Sequence, residues 1–499
     1  MKRNGAKIGA LLSYILIFLS TAYGLIVTPF ILRQVGSADY GVYQTVAGLS
    51  AFLAVLDLGF SGTVQRFIAK FNAEKNRTKI NEYLGMALIQ TFAVSGIFLV
   101  VGSGVFFVID PVYSSKFTSA ELQLAKQLYW ILLANIGLTF FDNVMFGVIA
   151  GHNEFGFANG LKILLLLAKT AVIYIFLPIF NGVIVVVAVQ TLLTALTLIA
   201  YYLFIRRRLQ VRFVFGKWDK ALFWSSFGYT MLLFLQSLVV QFNGNVDKYV
   251  IGAVQGPELV TVYSFAITIF NMYEQLSFSI SGVMLPTVTN RIHEGATSRD
   301  LEDLVIRVGK IQFLLLGAIL CGFITLGKEF FAAWLGAGYE DCYLLALILM
   351  IPVTVPLIQN VCISILRAKN LMGFRTISLV YSAAVNLVVT LVGTILFGYF
   401  AAAVGTALST VIGSIISMNI YYKKKLGLNV FRMFSLTVKD AVPALLCATA
   451  ATFAAKYLIY ARLSAGWLPF FLCGAVFVAV YGVVAFFFNK AAIRDLLRR

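Results

Sequence analysis

Six ionisable side chains lie inside long apolar stretches of this 499-residue chain, and their chemistry is the first guide to its function. They are Asp57, Asp142, Lys169, Asp247, Lys248 and Glu274. A charge inside a membrane costs several kcal/mol unless it is paired or hydrated, so each of the six is a candidate functional residue. A buried cation attracts an anionic ligand, whereas a buried carboxylate can carry a coupling proton.

Lys169 is the most informative of the six. It lies nine residues into an apolar segment that begins near residue 160, about 13 Å deep at 1.5 Å per residue, close to the midplane of an apolar layer about 30 Å thick. Two interpretations of Lys169 stay open. In the first, it is a cation that faces a cavity and attracts substrate. In the second, it forms a structural ion pair with Asp142 or another carboxylate. Arg33, Arg66 and Lys162 lie nearer segment ends, where a long side chain can reach the membrane surface.

The acidic residues each leave two interpretations open. Glu274 lies among polar neighbours and can serve in ion coupling or as a paired structural carboxylate. Asp57 can accept hydrogen bonds from neighbouring helices or contact the substrate. Asp247 and Lys248 follow a predicted kink at residues 243–245 and form either a gate or a local ion pair. The substrate-binding candidates are Lys169, Arg33, Lys248 and Arg66, and the ion-coupling or gating candidates are Glu274, Asp57, Asp142 and Asp247.

The composition requires membrane helices to position these residues. The chain is 60% hydrophobic and only 12% charged, about half the charged fraction of a soluble domain. Its net charge of +18 would suggest a nucleic-acid partner in a soluble protein, but here it indicates basic loops on the cytoplasmic side. The two histidines lie far apart and the five cysteines have no CxxC spacing, so we predict neither a metal site nor a disulfide framework.

Fourteen apolar segments can be counted, which predicts an all-α polytopic membrane protein with about 14 transmembrane helices. Most of the 39 Lys and Arg residues fall in the two tails and the even-numbered loops, which predicts that both termini are cytoplasmic. The approximate segments are 8–32, 42–65, 84–109, 127–150, 161–180, 183–205, 222–252, 259–285, 305–330, 343–366, 376–397, 400–422, 440–459 and 468–488.

An internal repeat relates helices 1 to 6 to helices 7 to 12. Because six helices preserve orientation, the repeat predicts two parallel six-helix bundles, residues 1–213 and 214–430, followed by helices 13 and 14 within residues 431–499. A substrate cavity is expected between the bundles. The matches are Asn143-Val144 with Asn360-Val361 and Gly156-Phe157 with Gly373-Phe374 at an offset of 217, and Gly36 with Gly256 and Tyr201-Tyr202 with Tyr421-Tyr422 at 220.

Three segments carry a resemblance to a known family. Gly36–Tyr43, with the sequence GSADYGVY, and Leu56–Arg66, with the sequence LDLGFSGTVQR, resemble the opening of bacterial polysaccharide transporters of the O-antigen flippase type. Ala150–Gly156 continues the likeness. These transporters belong to the multidrug, oligosaccharidyl-lipid and polysaccharide (MOP) exporter superfamily, so the resemblance implies a MATE-like pair of bundles.

The resemblance also implies a function. Such a protein moves an undecaprenyl-diphosphate-linked oligosaccharide across the bacterial inner membrane by alternating access, for O-antigen, capsule or exopolysaccharide biosynthesis. Lys169 would then attract the diphosphate. No catalytic residue or bound cofactor is expected, only coupling to a proton or sodium gradient. The expected partners are the lipid-linked oligosaccharide, membrane lipids and the polysaccharide polymerase machinery.

Three other functions remain as alternatives. A peptidoglycan lipid-precursor flippase also has fourteen helices, and a multidrug exporter of the same superfamily usually has twelve. A membrane polymerase or ligase of lipid-linked sugars generally needs a large outer loop, whereas the longest one here, residues 110–126, has about 17 residues. A transporter is therefore the preferred interpretation, and we expect no enzyme activity.

Overall fold

The computed structural model describes residues 2–53, 60–180, 182–215, 219–281, 284–369, 371–464 and 466–488. These residues form twenty α-helices joined by short turns, and no strand occurs in these ranges. The helices are α1 (Lys2–Val35), α2 (Ser37–Leu53), α3 (Phe60–Ala73), α4 (Arg77–Phe106), α5 (Ile109–Tyr113), α6 (Ser119–Gly151), α7 (Phe155–Phe180), α8 (Val183–Phe204), α9 (Lys220–Gln255), α10 (Pro257–Ser281), α11 (Met284–His293), α12 (Ser298–Leu335), α13 (Asp341–Ile358), α14 (Asn360–Ala368), α15 (Gly373–Phe397), α16 (Phe400–Ser409), α17 (Met418–Tyr421), α18 (Val430–Val438), α19 (Val442–Tyr460) and α20 (Trp467–Phe488). Three π-helical segments, Ile205–Leu209, Thr410–Ser417 and Tyr422–Leu426, extend α8, α16 and α17.

The chain is a multi-pass membrane protein. Within the described ranges, eleven helices are long and apolar enough to cross a membrane. Three predicted crossings, at 42–65, 222–252 and 259–285, are not among these eleven helices. The segment 222–252 falls on α9, whereas 42–65 corresponds to the pair α2 and α3, and 259–285 to the pair α10 and α11. The total of fourteen crossings stays a prediction from the sequence.

Helix 7 is not interrupted at residues 243–245, where the sequence predicts a kink, and the kink itself stays a prediction. Helix α9 continues without interruption through residues 243–245. The side-chain amide of Asn245 donates to the carbonyl oxygen of Gln241, one turn earlier, at 3.3 Å. This local bond pairs the polar side chain within the helix itself. Asp247 and Lys248 therefore lie on a continuous helix rather than after a break.

Residues 1–261 form one compact unit. Helix α6 packs against α3 and α8, while α1 packs against α7 and α2 against α9. The contact between α2 and the start of α10 depends on Gly41, because a methyl group there would lie 1.8 Å from the carbonyl oxygen of Pro257. Thr261 donates to the carbonyl oxygen of Ser37 at 2.6 Å. The family-like segment 36–43 thus serves close helix packing.

Residues 262–499 form the second compact unit, in which α12 contacts α13, α18, α19 and α20. Three basic residues form ion pairs between α12 and residues 430–460. The pairs are Arg432 with Glu302 and Asp303, Lys310 with Asp440 at 2.5 Å, and Lys456 with Glu329 at 2.6 Å. The C-terminal helices are therefore joined to α12 by charge as well as by apolar packing.

Local geometry repeats along the chain at the offsets found in the sequence. Helices α1 and α9 both end one residue before a glycine with positive φ, Gly36 at 85° and Gly256 at 97°. The π-helical turns 205–209 and 422–426 lie 217 residues apart, and each is followed by a left-handed residue, Gln210 or Gly427. These turns carry the basic triplets Arg206–Arg208 and Lys423–Lys425, which align at an offset of 217. The match of the tyrosine pairs at 220 is therefore out of register with them by three residues.

The boundary between the two compact units, after residue 261, differs from the boundary of the sequence repeat, after residue 213. Helix α9, which the repeat assigns to the second bundle, packs on α2 within residues 1–261. The hydroxyl of Tyr249 donates to the carbonyl oxygen of Gly48 at 2.5 Å in this contact. The bundles at 1–213 and 214–430 and the C-terminal segment 431–499 are defined by sequence symmetry, and they stay a prediction.

Reporter fusions test the predicted topology. Fusions after residues 75, 213, 296 and 428 should report the cytoplasm, and fusions after 115, 256, 338 and 464 the opposite side, because basic loops are retained in the cytoplasm. Paired alkaline phosphatase and green fluorescent protein fusions give opposite signals at each site and control for expression. Sites 213 and 428 on opposite sides would contradict the six-helix repeat.

Candidate functional site

A polar groove lies between α1, α7 and α8 in the first unit. Its volume is about 230 Å³, and two lysines, a glutamine and several hydroxyl side chains line it together with leucines. Lys162 and Lys169 are seven residues apart on α7 and so share one face, about 10 Å apart along the axis. The remaining lining residues are Leu16, Ser20, Leu165, Leu166, Gln190, Leu193, Thr194 and Thr197.

Lys169 meets polar and aromatic groups in this groove. Its ammonium donates to Oε1 of Gln190 at 3.2 Å and lies 5.2 Å from the centre of the Tyr23 ring. Among the residues that the structure describes, no carboxylate lies within 4 Å of this ammonium. An ammonium has three N–H donors, and only one of them is used by Gln190. The cation is therefore available to an anionic ligand.

The proposed ion pair between Lys169 and Asp142 is not formed. Asp142 interacts electrostatically with Lys162 instead, and its Oδ1 is buried without a hydrogen-bond partner in the described part of the chain. The Lys162 ammonium also lies 4.1 Å from the centre of the Phe146 ring. Lys162 was predicted to reach the membrane surface from a helix end. Its seven-residue spacing from Lys169 was the signal that both belong to one site.

Helix α8 supplies the uncharged side of the groove. Thr194 accepts a hydrogen bond from Asn135 at 3.0 Å and donates to the carbonyl oxygen of Gln190 at 3.0 Å. Thr197 lies one turn further along the same face. Sequence analysis missed these groups, although a glutamine within the apolar segment 183–205 was a signal. The hydroxyl of Thr197 likewise donates to the carbonyl oxygen of Leu193, at 2.8 Å. The threonine oxygens can therefore accept hydrogen bonds from a neutral polar ligand such as a sugar, and the side-chain amide nitrogen of Gln190 can donate to it.

The other predicted cations do not line this groove. Arg33 is exposed in the last turn of α1, and Arg66 is exposed on α3. Lys248 donates to Oε1 of Gln44 at 3.1 Å, and the Gln44 amide donates to the hydroxyl of Tyr40 at 2.7 Å. Lys248 thus joins α9 to α2. The structure brings Lys169 together with Lys162 and not with the three other candidates.

The acidic candidates occupy separate places. Asp57 lies outside the described residues. Asp247 is buried on α9 in the first unit, next to Lys248. Glu274 is half-buried on α10 in the second unit and makes no ion pair with the described residues. It neighbours Tyr273, whose hydroxyl is 2.7 Å from that of Thr354 in a buried hydrogen-bond network.

Comparison with known families identifies the chain. A family model described as polysaccharide biosynthesis protein matches residues 8–291, more than half of the sequence. The chain belongs to this family. The match includes the groove between α1, α7 and α8, and it confirms the resemblance found in the sequence. No curated protein matches the sequence.

Solved structures of MOP superfamily transporters share the fold. The lipid II flippase MurJ in its inward closed conformation has a TM-score of 0.71 at 15% identity, covering 98% of this chain and 99% of its own. An inward-facing MATE multidrug resistance transporter of the MOP superfamily has a TM-score of 0.65 at 15% identity, covering 86% and 98%. A mutant Vibrio cholerae MATE transporter, VcmN, has a TM-score of 0.55 at 10% identity, covering 86% and 99%.

Double-mutant cycles test which lysine interacts with Asp142. Lys162→Met should lower the free energy of unfolding because it leaves a buried carboxylate without its cation. Adding Asp142→Asn should recover part of the loss, with a coupling of about 0.5–3 kcal/mol. The matched cycle with Lys169→Met should be additive. Chemical unfolding in detergent measures both cycles, and equal coupling in the two would contradict the assignment of Lys162 to Asp142.

Proposed function

We propose that this protein is a flippase that moves a lipid-linked oligosaccharide across the bacterial inner membrane by alternating access. The observation that carries the proposal is the pair of lysines in a polar groove between helices of a polysaccharide-biosynthesis family member. A lipid-linked oligosaccharide combines an anionic diphosphate with a sugar, and the groove offers cations beside amide and hydroxyl groups.

The contrast between Lys169 and the structural cations supports this role. Arg432, Lys310 and Lys456 each meet a carboxylate within 4 Å. Lys169, which lies deeper in its helix than a snorkelling lysine would, meets the Gln190 amide instead. A buried ammonium that needed only structural compensation would be best paired with a carboxylate. Because Lys169 has no carboxylate partner among the described residues, its ammonium group can bind an anionic substrate and release it again.

Lysine also suits transport better than tight recognition. Its ammonium acts on phosphate as a point charge on a flexible stem, whereas arginine binds in a fixed bidentate geometry. Lys162 and Lys169 are about 10 Å apart along α7, and their long stems allow both ammonium groups to approach one diphosphate. Asp142 next to Lys162 limits the net positive charge of the groove and so limits how tightly the anion is held.

The proposal includes the finer features expected from the sequence. The carrier is undecaprenyl diphosphate, both termini are cytoplasmic, and the product serves surface polysaccharide biosynthesis together with polymerase machinery. Glu274 couples transport to a proton or sodium gradient, since it is a half-buried carboxylate without an ion pair among the described residues. Transport of this kind requires no catalytic residue.

A peptidoglycan lipid-precursor flippase is the second candidate function. The fold match to the lipid II flippase covers 98% of this chain, whereas the match to the inward-facing MATE transporter covers 86%. This coverage favours lipid-linked substrates over drugs. Family membership over residues 8–291 favours polysaccharide precursors over lipid II.

Transport by lysine variants tests the proposal. In proteoliposomes, Lys169→Gln should lower the initial rate of oligosaccharide flipping by about tenfold or more, because one ion–phosphate contact is lost. Lys169→Arg should keep part of the rate because it keeps the charge. The readout is the fraction of tagged lipid-linked oligosaccharide that becomes accessible to an added glycosidase, with lipid II assayed in parallel.

Lys70→Gln is the matched control, because Lys70 is an exposed lysine on α3 that does not line the groove. It should transport at the wild-type rate. Unchanged flipping in a normally folded Lys169→Gln protein would remove Lys169 from the substrate site. Faster transport of lipid II than of lipid-linked oligosaccharide would favour the second candidate function.

A further inference from the structure

A second groove lies in the unit formed by residues 262–499, between α13, α17 and α18. It has a volume of about 1080 Å³ and mainly apolar walls. Large side chains at its edge are exposed, with Phe431 at 88%, Ile416 at 51% and Ile420 at 50%. Exposed apolar side chains on a membrane protein suit contact with lipid. The groove shares no lining residue with the one that contains Lys169.

Helix α18, which forms one side of this groove, is held in place by charged contacts. The Arg432 guanidinium forms ion pairs with Glu302 and Asp303 of α12, and hydrogen bonds to these two carboxylates raise the pKa of Arg432. The backbone N–H of Asn429 donates to Oε2 of Glu302 at 2.8 Å. Because α18 is fixed to α12, it cannot close over the groove without breaking these bonds.

Polar atoms without partners line the same groove. Gln359 is only 4% exposed, and neither its side-chain nitrogen nor its side-chain oxygen has a hydrogen-bond partner in the described part of the chain. The side-chain oxygen of Asn419 is likewise buried without a partner. A buried amide that makes no hydrogen bond is costly, so these atoms indicate a polar ligand. That ligand must donate hydrogen bonds as well as accept them.

Lys423 completes the groove with a positive charge. It is exposed, lines the groove, and lies one helical turn from Asn419. Side chains on a helix tilt towards its N-terminus, which brings the Lys423 ammonium towards the level of Asn419. Its neighbours Lys424 and Lys425 are exposed but do not line the groove. Among the described lining residues Lys423 is the one cation, and a single charge matches a phosphodiester better than a diphosphate.

We propose that this groove binds a phospholipid with a hydroxylated anionic headgroup, of the phosphatidylglycerol class. Its acyl chain lies along the apolar walls, its phosphodiester contacts Lys423, and its headgroup hydroxyls bond to Gln359 and Asn419. Phosphatidylcholine lacks the donor that the two side-chain oxygens require. This site holds a bilayer lipid and does not depend on the transported substrate.

Lipid competition tests the site in the full-length protein. Native mass spectrometry from a detergent mixture of phosphatidylglycerol, phosphatidylcholine and phosphatidylethanolamine should show preferential retention of phosphatidylglycerol. Lys423→Gln should reduce this preference by about tenfold, the effect of losing one charged contact. The matched control is Lys424→Gln, on the same π-helical turn but outside the groove, which should keep the wild-type preference.

A second variant separates ligand binding from folding. Gln359→Leu removes two buried polar atoms that have no partner in the described ranges, so it should raise or preserve the Tm in phosphatidylcholine. The same variant should lose the extra rise in Tm that phosphatidylglycerol gives the wild type. Equal retention of the three lipids, equal losses in Lys423→Gln and Lys424→Gln, or displacement of phosphatidylglycerol by a prenyl diphosphate would overturn the proposal.

Discussion

The physical constraint on which this molecule depends is the cost of holding an ammonium group within membrane-spanning helices. Around Lys169 that cost is met by the Gln190 amide and the Tyr23 ring, and among the described residues by no carboxylate. The surrounding helices supply the polar wall at the same level, with Thr194 of α8 on one side of the groove. A strong structural pair would hold the cation permanently, whereas weaker compensation leaves it able to bind and release an anion.

Within the second unit, charged and polar side chains have two different roles. In residues 262–499, carboxylates meet Arg432, Lys310 and Lys456, and these pairs join α12 to the C-terminal helices. In the second groove, side-chain atoms of Gln359 and Asn419 have no hydrogen-bond partner among the residues that the structure describes. The same unit therefore contains both paired charges, which join helices, and the uncompensated amide atoms on which the proposed lipid site rests.

Much of the helical architecture could be predicted from the sequence, because twenty-residue apolar runs have few alternatives to membrane helices. The sequence places Lys169 in the interior of an apolar segment, and it lies in the middle of α7 in the structure. Its neighbours could not be predicted, because Gln190 comes from another helix and side-chain facing depends on how helices rotate against each other. For the same reason the sequence left a pair of Lys169 with Asp142 open as one interpretation, whereas Asp142 interacts with Lys162 in the structure. The residues at 243–245 do not interrupt α9, and the Asn245 side chain bonds within the helix.

Binding of a soluble prenyl diphosphate tests the central claim most directly. Titration of purified protein with farnesyl diphosphate and farnesyl monophosphate compares two ligands that share a tail and differ in phosphate charge. If Lys162 and Lys169 bind the diphosphate, the wild type should prefer it by about tenfold, and a variant with Gln at both positions should lose the preference. Equal preference in the wild type and the double variant would contradict the account.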